Sequence, residues 1–202
     1  MENKAEQHTI ELLAPARDAE VARAAIACGA DAVYMGGPRF GARQAAGNPV
    51  ENIARVVAAA RPFGVRVYVT LNTLVFDDEL AEAERIAREV IDAGVDALIV
   101  QDMAYMEMGL QGVELHASTQ TYNVSPEKVD FLARSGFSRV ILERNLSLAE
   151  IRAIRRATDT ERECFVNGAI CVRRSGRCYI GRTMSSRRRN RCSWSAAGRP
   201  RC

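Results

Sequence analysis

A chain of 202 residues, 48% hydrophobic and 26% charged, has the composition of a globular protein with one ordinary core. No apolar run approaches the ~18 residues needed to span a membrane, and residues 1–8 carry no apolar signal region, so the expected location is cytoplasmic. The net charge of +3 conceals an asymmetry: from Ile170 onward there are ten arginines and no acid, against 18 basic and 25 acidic side chains before it.

In chain order, helical stretches, glycines and short β-rich runs recur. Residues 11–14 read as a first strand, and after Pro15 a helix is expected over 17–28. Gly29 ends it, and the run 32–35 follows as a second strand. Asn48-Pro49 opens a helix over 50–63, a cap-then-proline start. Gly64 then precedes a strand over 65–69. The acids that open the helix at 77–93 suit the positive end of its dipole. Gly94 leads to a strand over 97–100, a short helix over 103–108 and a fifth strand over 113–117. Ser125-Pro126-Glu127 starts another helix, Gly136 ends it, and 139–142 is the sixth strand. Ser147 with Glu150 forms a capping-box start for a helix reaching Ala157. The apolar run Cys164-Phe165-Val166 reads as a buried seventh strand.

The four helix-ending glycines, favoured there by left-handed caps, lie 30 to 42 residues apart, the size of one βα unit. Strict alternation implies parallel strands and an α/β class. The expected architecture is an incomplete (β/α) TIM-like barrel of about seven parallel strands, since a full eight-stranded barrel takes ~250 residues. An open doubly wound sheet is the alternative, but no G-x-G-x-x-G follows the first strand. The domain reading is a disordered N-terminus over 1–10, the barrel-like domain over 11–169, and a Cys/Arg-rich tail over 170–202.

In such a barrel the chemistry sits at the C-terminal strand ends. Those positions hold Pro15 and Arg17, the loop G-G-P-R-F-G-A-R, then Asn72 and Thr73, Gln101 and Asp102, His116, Ser118 and Gln120, Glu143 to Asn145, and Asn167. Gly36 and Gly37, with Arg39 and Arg43, have the makings of a carboxylate or phosphate cradle; a plain surface turn is the other reading. His116, Ser118 and Gln120 alternate as residues sharing one face of an extended segment. His116, Gln101, Asp102 and Asn72 are the candidate catalytic residues, with Arg39, Arg43, Gly36, Gly37, Ser118 and Gln120 as candidate substrate contacts. No metalloprotease motif, G-x-S-x-G elbow or cysteine with an assigned base is present. Tyr34 and Tyr68 read as partly buried strand residues, and the methionines at 103, 106 and 108 as helix packing.

Four of the six cysteines, Cys171, Cys178, Cys192 and Cys202, fall in the last 32 residues. Thiolates are the preferred ligands of soft metals and iron–sulfur clusters, but the spacing C-x6-C matches no standard zinc or ferredoxin pattern. Loosely placed free thiols remain the other reading.

The stretches E-L-L-A-P-A, G-A-D-A-V-Y-M-G-G-P-R-F-G-A-R, V-Y-V-T-L-N-T-L, D-A-L-I-V-Q-D-M, E-L-H-A-S-T-Q and F-V-N-G-A-I-C-V-x-x-S-G-R-C resemble the N-terminal part of peptidase family U32, the collagenase-like proteases. The E-L-H-A-S-T-Q and L-I-V-Q-D-M forms are most similar to the branch that makes 5-hydroxycytidine in large-subunit ribosomal RNA. A sister branch acts on the wobble uridine of tRNA and depends on prephenate. The resemblance implies a TIM-like barrel and C5 hydroxylation of a pyrimidine. It implies RNA as partner, ribosomal RNA before tRNA, with a small carboxylate such as prephenate as a further possible ligand. It also implies a 4Fe–4S cluster on a four-cysteine set after the seventh strand, to which Cys171 and Cys178 correspond.

Several positions depart from that pattern. Asn167 and Arg174 stand where the family usually has His and Tyr, and Glu143 and Asn145 where it has Ala and Glu. Cys192 falls two residues early and Cys202 does not fit. The segment from about Arg187 is therefore expected to lie outside the family pattern through a frameshift or premature end, making the basic tail no RNA-binding arm. Three readings follow: an RNA hydroxylase, a collagenase-like peptidase, and an inactive truncated fragment without the cluster.

Overall fold

The computed structural model describes residues 10–43 and 46–168, together with Ser175 and two short strands, β8 (Ser193–Trp194) and β9 (Pro200–Arg201), which pair antiparallel. The expectations placed on the remaining residues, including Cys171, Cys178, Cys192 and most of the tail, lie outside the described residues.

Seven parallel strands pair in sequence order: β1 (Leu13–Ala16), β2 (Ala32–Gly36), β3 (Arg66–Leu71), β4 (Ala97–Val100), β5 (Glu114–Ala117), β6 (Arg139–Ile141) and β7 (Glu161–Glu163). No strand order reverses, so the doubly wound alternative falls. The sheet curls into an incomplete barrel, because Arg139 on β6 reaches the carboxylate of Glu11, just before β1, at 2.5 Å.

Among the described residues, six helices cover the outside: α1 (Ala19–Ala27), α2 (Val50–Ala60), α3 (Leu80–Asp92), α4 (Ala104–Glu107), α5 (Pro126–Arg134) and α6 (Leu148–Ala157). Their starts follow local chemistry. Asp18 accepts from the amides of Glu20 and Val21, Ser125 accepts from Lys128, and Ser147 and Glu150 form the expected reciprocal box. Gly64 and Gly136, with φ of 67° and 104°, make the left-handed turns that return the chain to the sheet.

Strand alternation separates two apolar groups. Val33, Met35, Val69, Leu98, Val100 and Leu142 face the helices within the main core. Ala32, Tyr68, Ala97, Ile99 and Ile141 form a smaller cluster inside the curl, with Leu13 and Tyr34 packed on it. Tyr68 is fully buried rather than partly so, since its ring lies within that cluster.

Several strand bounds shift, among them the third, which runs Arg66–Leu71 instead of 65–69; the shifts that matter most are at the two ends of the sheet. The first strand begins at Leu13 instead of residue 11. The seventh comprises Glu161–Glu163, and the Cys164-Phe165-Val166 run follows it as exposed chain, Val166 being 89% exposed. The reason is positional. Strand β7 pairs only with β6 among the described residues, and its inward positions, Glu161 and Glu163, meet polar partners or the interior edge instead of an apolar core.

Candidate functional site

The floor of the curl, at the N-terminal strand ends, is a closed set of charges. Glu11 accepts from Arg139 at 2.5 Å, from the Tyr68 hydroxyl at 2.9 Å, and pairs with Arg66. Arg139 also holds Glu161 at 2.6 Å. Burial alone would raise the Glu11 carboxyl, but the Arg139 hydrogen bond and the neighbouring cations hold it below the ordinary carboxylate range.

His116 belongs to this interior and not to the mouth. It lies within β5, one strand position beside Ile99 and Arg139, fully buried, edge-on to Tyr68 at 4.9 Å between ring centroids. Burial pushes its pKa below the ordinary value, so the ring is neutral at neutral pH. Glu114, lowered despite its partial burial by hydrogen bonds from His116 and Ser138, accepts from Nε2 at 3.1 Å, which leaves Nδ1 as an acceptor without a partner. Glu114 lies toward the floor, so this contact points the histidine away from the strand ends.

At the mouth, several candidates are joined to one another. Asn72 accepts from the amide of Ala42 at 2.9 Å and donates to Ser118 Oγ at 3.1 Å, tying the loops after β2, β3 and β5. Ser118 caps a short 3-10 turn, Thr119–Thr121, by accepting from the Gln120 amide. That turn breaks the expected alternation, so Gln120 does not continue the face of His116 and Ser118. Asp102 is occupied structurally, accepting from the amides of Val75 at 2.9 Å and Ala104 at 3.0 Å. Gln101 is buried beside it with Oε1 unpartnered.

Two glycines of the glycine-rich loop are required by close packing. A Cβ on Gly36 would lie 2.4 Å from the Ala46 carbonyl, and one on Gly37 would lie 2.6 Å from Leu71 Cδ2. The Gly37 amide already donates to the Thr70 carbonyl, so it is no free donor for a phosphate. Arg39 is held by α3 and its approach, pairing with Glu79 at 3.2 Å and with Glu82. Arg43 is exposed, and its charge acts on the Tyr34 hydroxyl, as do Glu163 and Arg144. Arg39 and Arg43 therefore serve different neighbours.

Further residues complete the mouth, among them Glu143 and Arg144, which the sequence places at the end of the sixth strand without assigning them a role. Glu163 ends β7 opposite Ile141, and burial lifts its pKa to about 7 despite the opposing charge of Arg139. Glu143 continues β6 past Ile141; it is 8% exposed and its Oε1 has no partner. The Arg144 guanidinium lies 4.4 Å over the partly exposed ring of Phe165. The available signal for Glu143 and Glu163 was period two: each continues the inward-facing set of its strand. Asn123 was also missed. It donates to the carbonyls of Ser118 and Ile141, fixing the ends of β5 and β6 together.

The cysteines that the resemblance assigns to a cluster cannot be placed among these groups, since they lie outside the described residues. Among the described residues, the free cysteines are Cys28 and Cys164, both exposed. No helix in the described part is long and apolar enough to cross a membrane.

Comparison with known proteins agrees with this architecture. The sequence is 50% identical over 192 residues to the 23S rRNA 5-hydroxycytidine C2501 synthase of Escherichia coli, covering 95% of this chain and 29% of that protein. It is 37% identical over 194 residues to the tRNA hydroxylation protein P1 of Bacillus subtilis, covering 91% of this chain and 46% of the relative. The chain thus spans less than half the length of these relatives. The solved structure of the U32 peptidase Mk0906 superposes with a TM-score of 0.66 at 16% identity, covering 81% of this chain and 71% of that one, which establishes the shared fold. The sequence model of peptidase family U32 matches residues 17–196, and with it the sequential parallel barrel and the quoted strand-end motifs place this chain in peptidase family U32.

Proposed function

We propose that this chain forms the barrel part of an RNA-modifying U32 protein that hydroxylates a pyrimidine at C5, with cytidine in large-subunit ribosomal RNA as the substrate. The observation that carries the reading is the 50% identity to the 23S rRNA 5-hydroxycytidine synthase across 95% of the chain, which includes every strand end at the mouth. The mouth chemistry is compatible with it. A base extruded from RNA is characteristically stacked on an aromatic or guanidinium plane and hydrogen-bonded along its edge. Phe165 with Arg144 above it offers such a plane, and the buried oxygens of Glu143, Gln101 and Glu163 offer acceptors.

Proton handling falls to Glu163. Its pKa of about 7 lets it exist in both protonation states near neutral pH, the property required of a group that gives or takes a proton. The 4Fe–4S cluster is part of the same proposal, with Cys171 and Cys178 as ligands and Cys192 as a third of irregular spacing. In favour of it, the chain leaves β7 at the mouth end and reaches Gly168 three residues before Cys171. When bound, such a cluster would supply electron transfer. Prephenate, or a similar small carboxylate, belongs to the proposal as a possible further ligand, with Arg43 and Arg144 as its available cations.

A peptidase reading finds no paired nucleophile and base among the described residues. Ser118 Oγ is engaged by Asn72 and the Gln120 amide, and His116 Nε2 by Glu114. The deciding measurement is nucleoside mass spectrometry of ribosomal RNA with and without the gene. Loss of 5-hydroxycytidine on deletion is the expected outcome, and an unchanged profile would overturn the proposal.

A further inference from the structure

Among the described residues, four buried oxygens at or just past strand ends have no hydrogen-bond partner: Thr73 Oγ1 after β3, Gln101 Oε1 after β4, Glu143 Oε1 after β6, and Glu163 Oε2 at the end of β7; the last three are amide or carboxylate acceptors. Gln101 and Glu143 are 9% and 8% exposed, so water does not readily satisfy them. Buried acceptors in native proteins are nearly always paired, and exceptions that recur at successive strand ends call for a donor that arrives from outside. Just past β5, Ser118 is already engaged by its own neighbours. The unmet demand is thus for N–H or O–H donors presented by a ligand.

We propose that Glu143, with Gln101 one inward-facing step lower among the strand ends, accepts hydrogen bonds from the exocyclic amino group of a cytosine turned out of its RNA stack, and so selects cytosine against uracil. The proposal rests on the RNA-hydroxylating reading given above and names the group that would read the base. Cytosine carries an N4 amino donor where uracil carries a carbonyl acceptor at the same ring position. An ionised carboxylate accepts only, so it pairs with the amine and meets the carbonyl with two acceptors facing each other. Gln101 can turn its amide end for end and tolerates either base. Discrimination therefore falls to Glu143. Glu163, in its protonated form, can donate to the ring's acceptor edge, N3 or O2.

The test uses the full-length protein and two fluorescent single-stranded ribo-oligonucleotides identical except for C or U at the central position. Binding is followed by anisotropy. The wild type is expected to favour the C strand by about tenfold or more, the usual discrimination of a matched base contact. Glu143→Gln, which supplies an amide able to donate, is expected to bring the ratio close to one. Gln101→Glu, which adds a second acceptor-only group, is expected to raise it. A wild-type ratio retained in Glu143→Gln overturns the proposal. Should that variant fail to fold, an unchanged ratio in Gln101→Glu overturns it equally. A protein that leaves 5-hydroxycytidine intact on gene deletion removes the functional reading, whereas loss of the nucleoside with an unaltered variant ratio removes this inference alone.

Discussion

The floor and the mouth of the barrel are walled by the same strands, yet they treat polar groups in opposite ways. On the floor the carboxylates around Arg139 meet cations: the largely buried Glu11 meets Arg139 and Arg66, and the exposed Glu161 meets Arg139. At the mouth Glu143 and Glu163 keep buried oxygens unpaired. Paired groups within one barrel hold strands in register, whereas unpaired ones hold an environment ready for something else. The contrast separates residues that maintain the fold from those that await a ligand.

The strongest way to break this comparison is Arg139→Ala. It strips Glu11 and Glu161 of a guanidinium that is itself 7% exposed, and the loss should cost about 3–5 kcal/mol, the usual penalty for removing one partner of a buried pair. Urea unfolding would read it, and a loss under about 1 kcal/mol would mean that the floor is not maintained by its charges.

A smaller effect, opposite in kind, is expected at Glu163. Below pH 4.5, its ordinary value, the carboxyl is protonated whether the chain is folded or not. Between there and about 7 the folded protein keeps a proton that the unfolded chain releases, so stability falls as pH rises across this window. Glu163→Gln should abolish that fall, worth on the order of 2 kcal/mol, when unfolding is compared at pH 5 and pH 8. An identical pH dependence in both proteins would make the mouth carboxyl no different from the floor's. The smallest effect belongs to the outer surface. Arg85 pairs with Glu89 one turn along α3, both well exposed, and Arg85→Ala should shift stability by only about 0.3–0.5 kcal/mol in the same assay.

Much of the fold was legible because it is written in local chemistry. The strand 97–100 was placed to the residue, and Ser147 with Glu150 marked the start of α6 through a cap that acts within one turn. Failures came where distant partners decide. Apolar Cys164-Phe165-Val166 looks more like a strand than Glu161-Arg162-Glu163, but it is the polar triplet that pairs with β6, where Arg139 holds Glu161. Likewise, glycine-rich composition alone cannot distinguish an anion cradle from backbone approach. The near contacts of Gly36 with the Ala46 carbonyl and of Gly37 with the Leu71 side chain are what the structure adds. At the site, Asn72 and Ser118 were found from their strand-end positions and do meet. His116 and Arg39 were found the same way, yet each is drawn elsewhere by a carboxylate that spacing did not reveal.

The bond between Glu11 and Arg139 joins residues 128 positions apart. As the chain emerges from the ribosome, Glu11 has only Arg66 and the Tyr68 hydroxyl to meet until almost the whole sheet has been synthesised. Early strands are thereby kept from settling into a finished half, and closure becomes a late event that draws the two ends of the sheet together in one step.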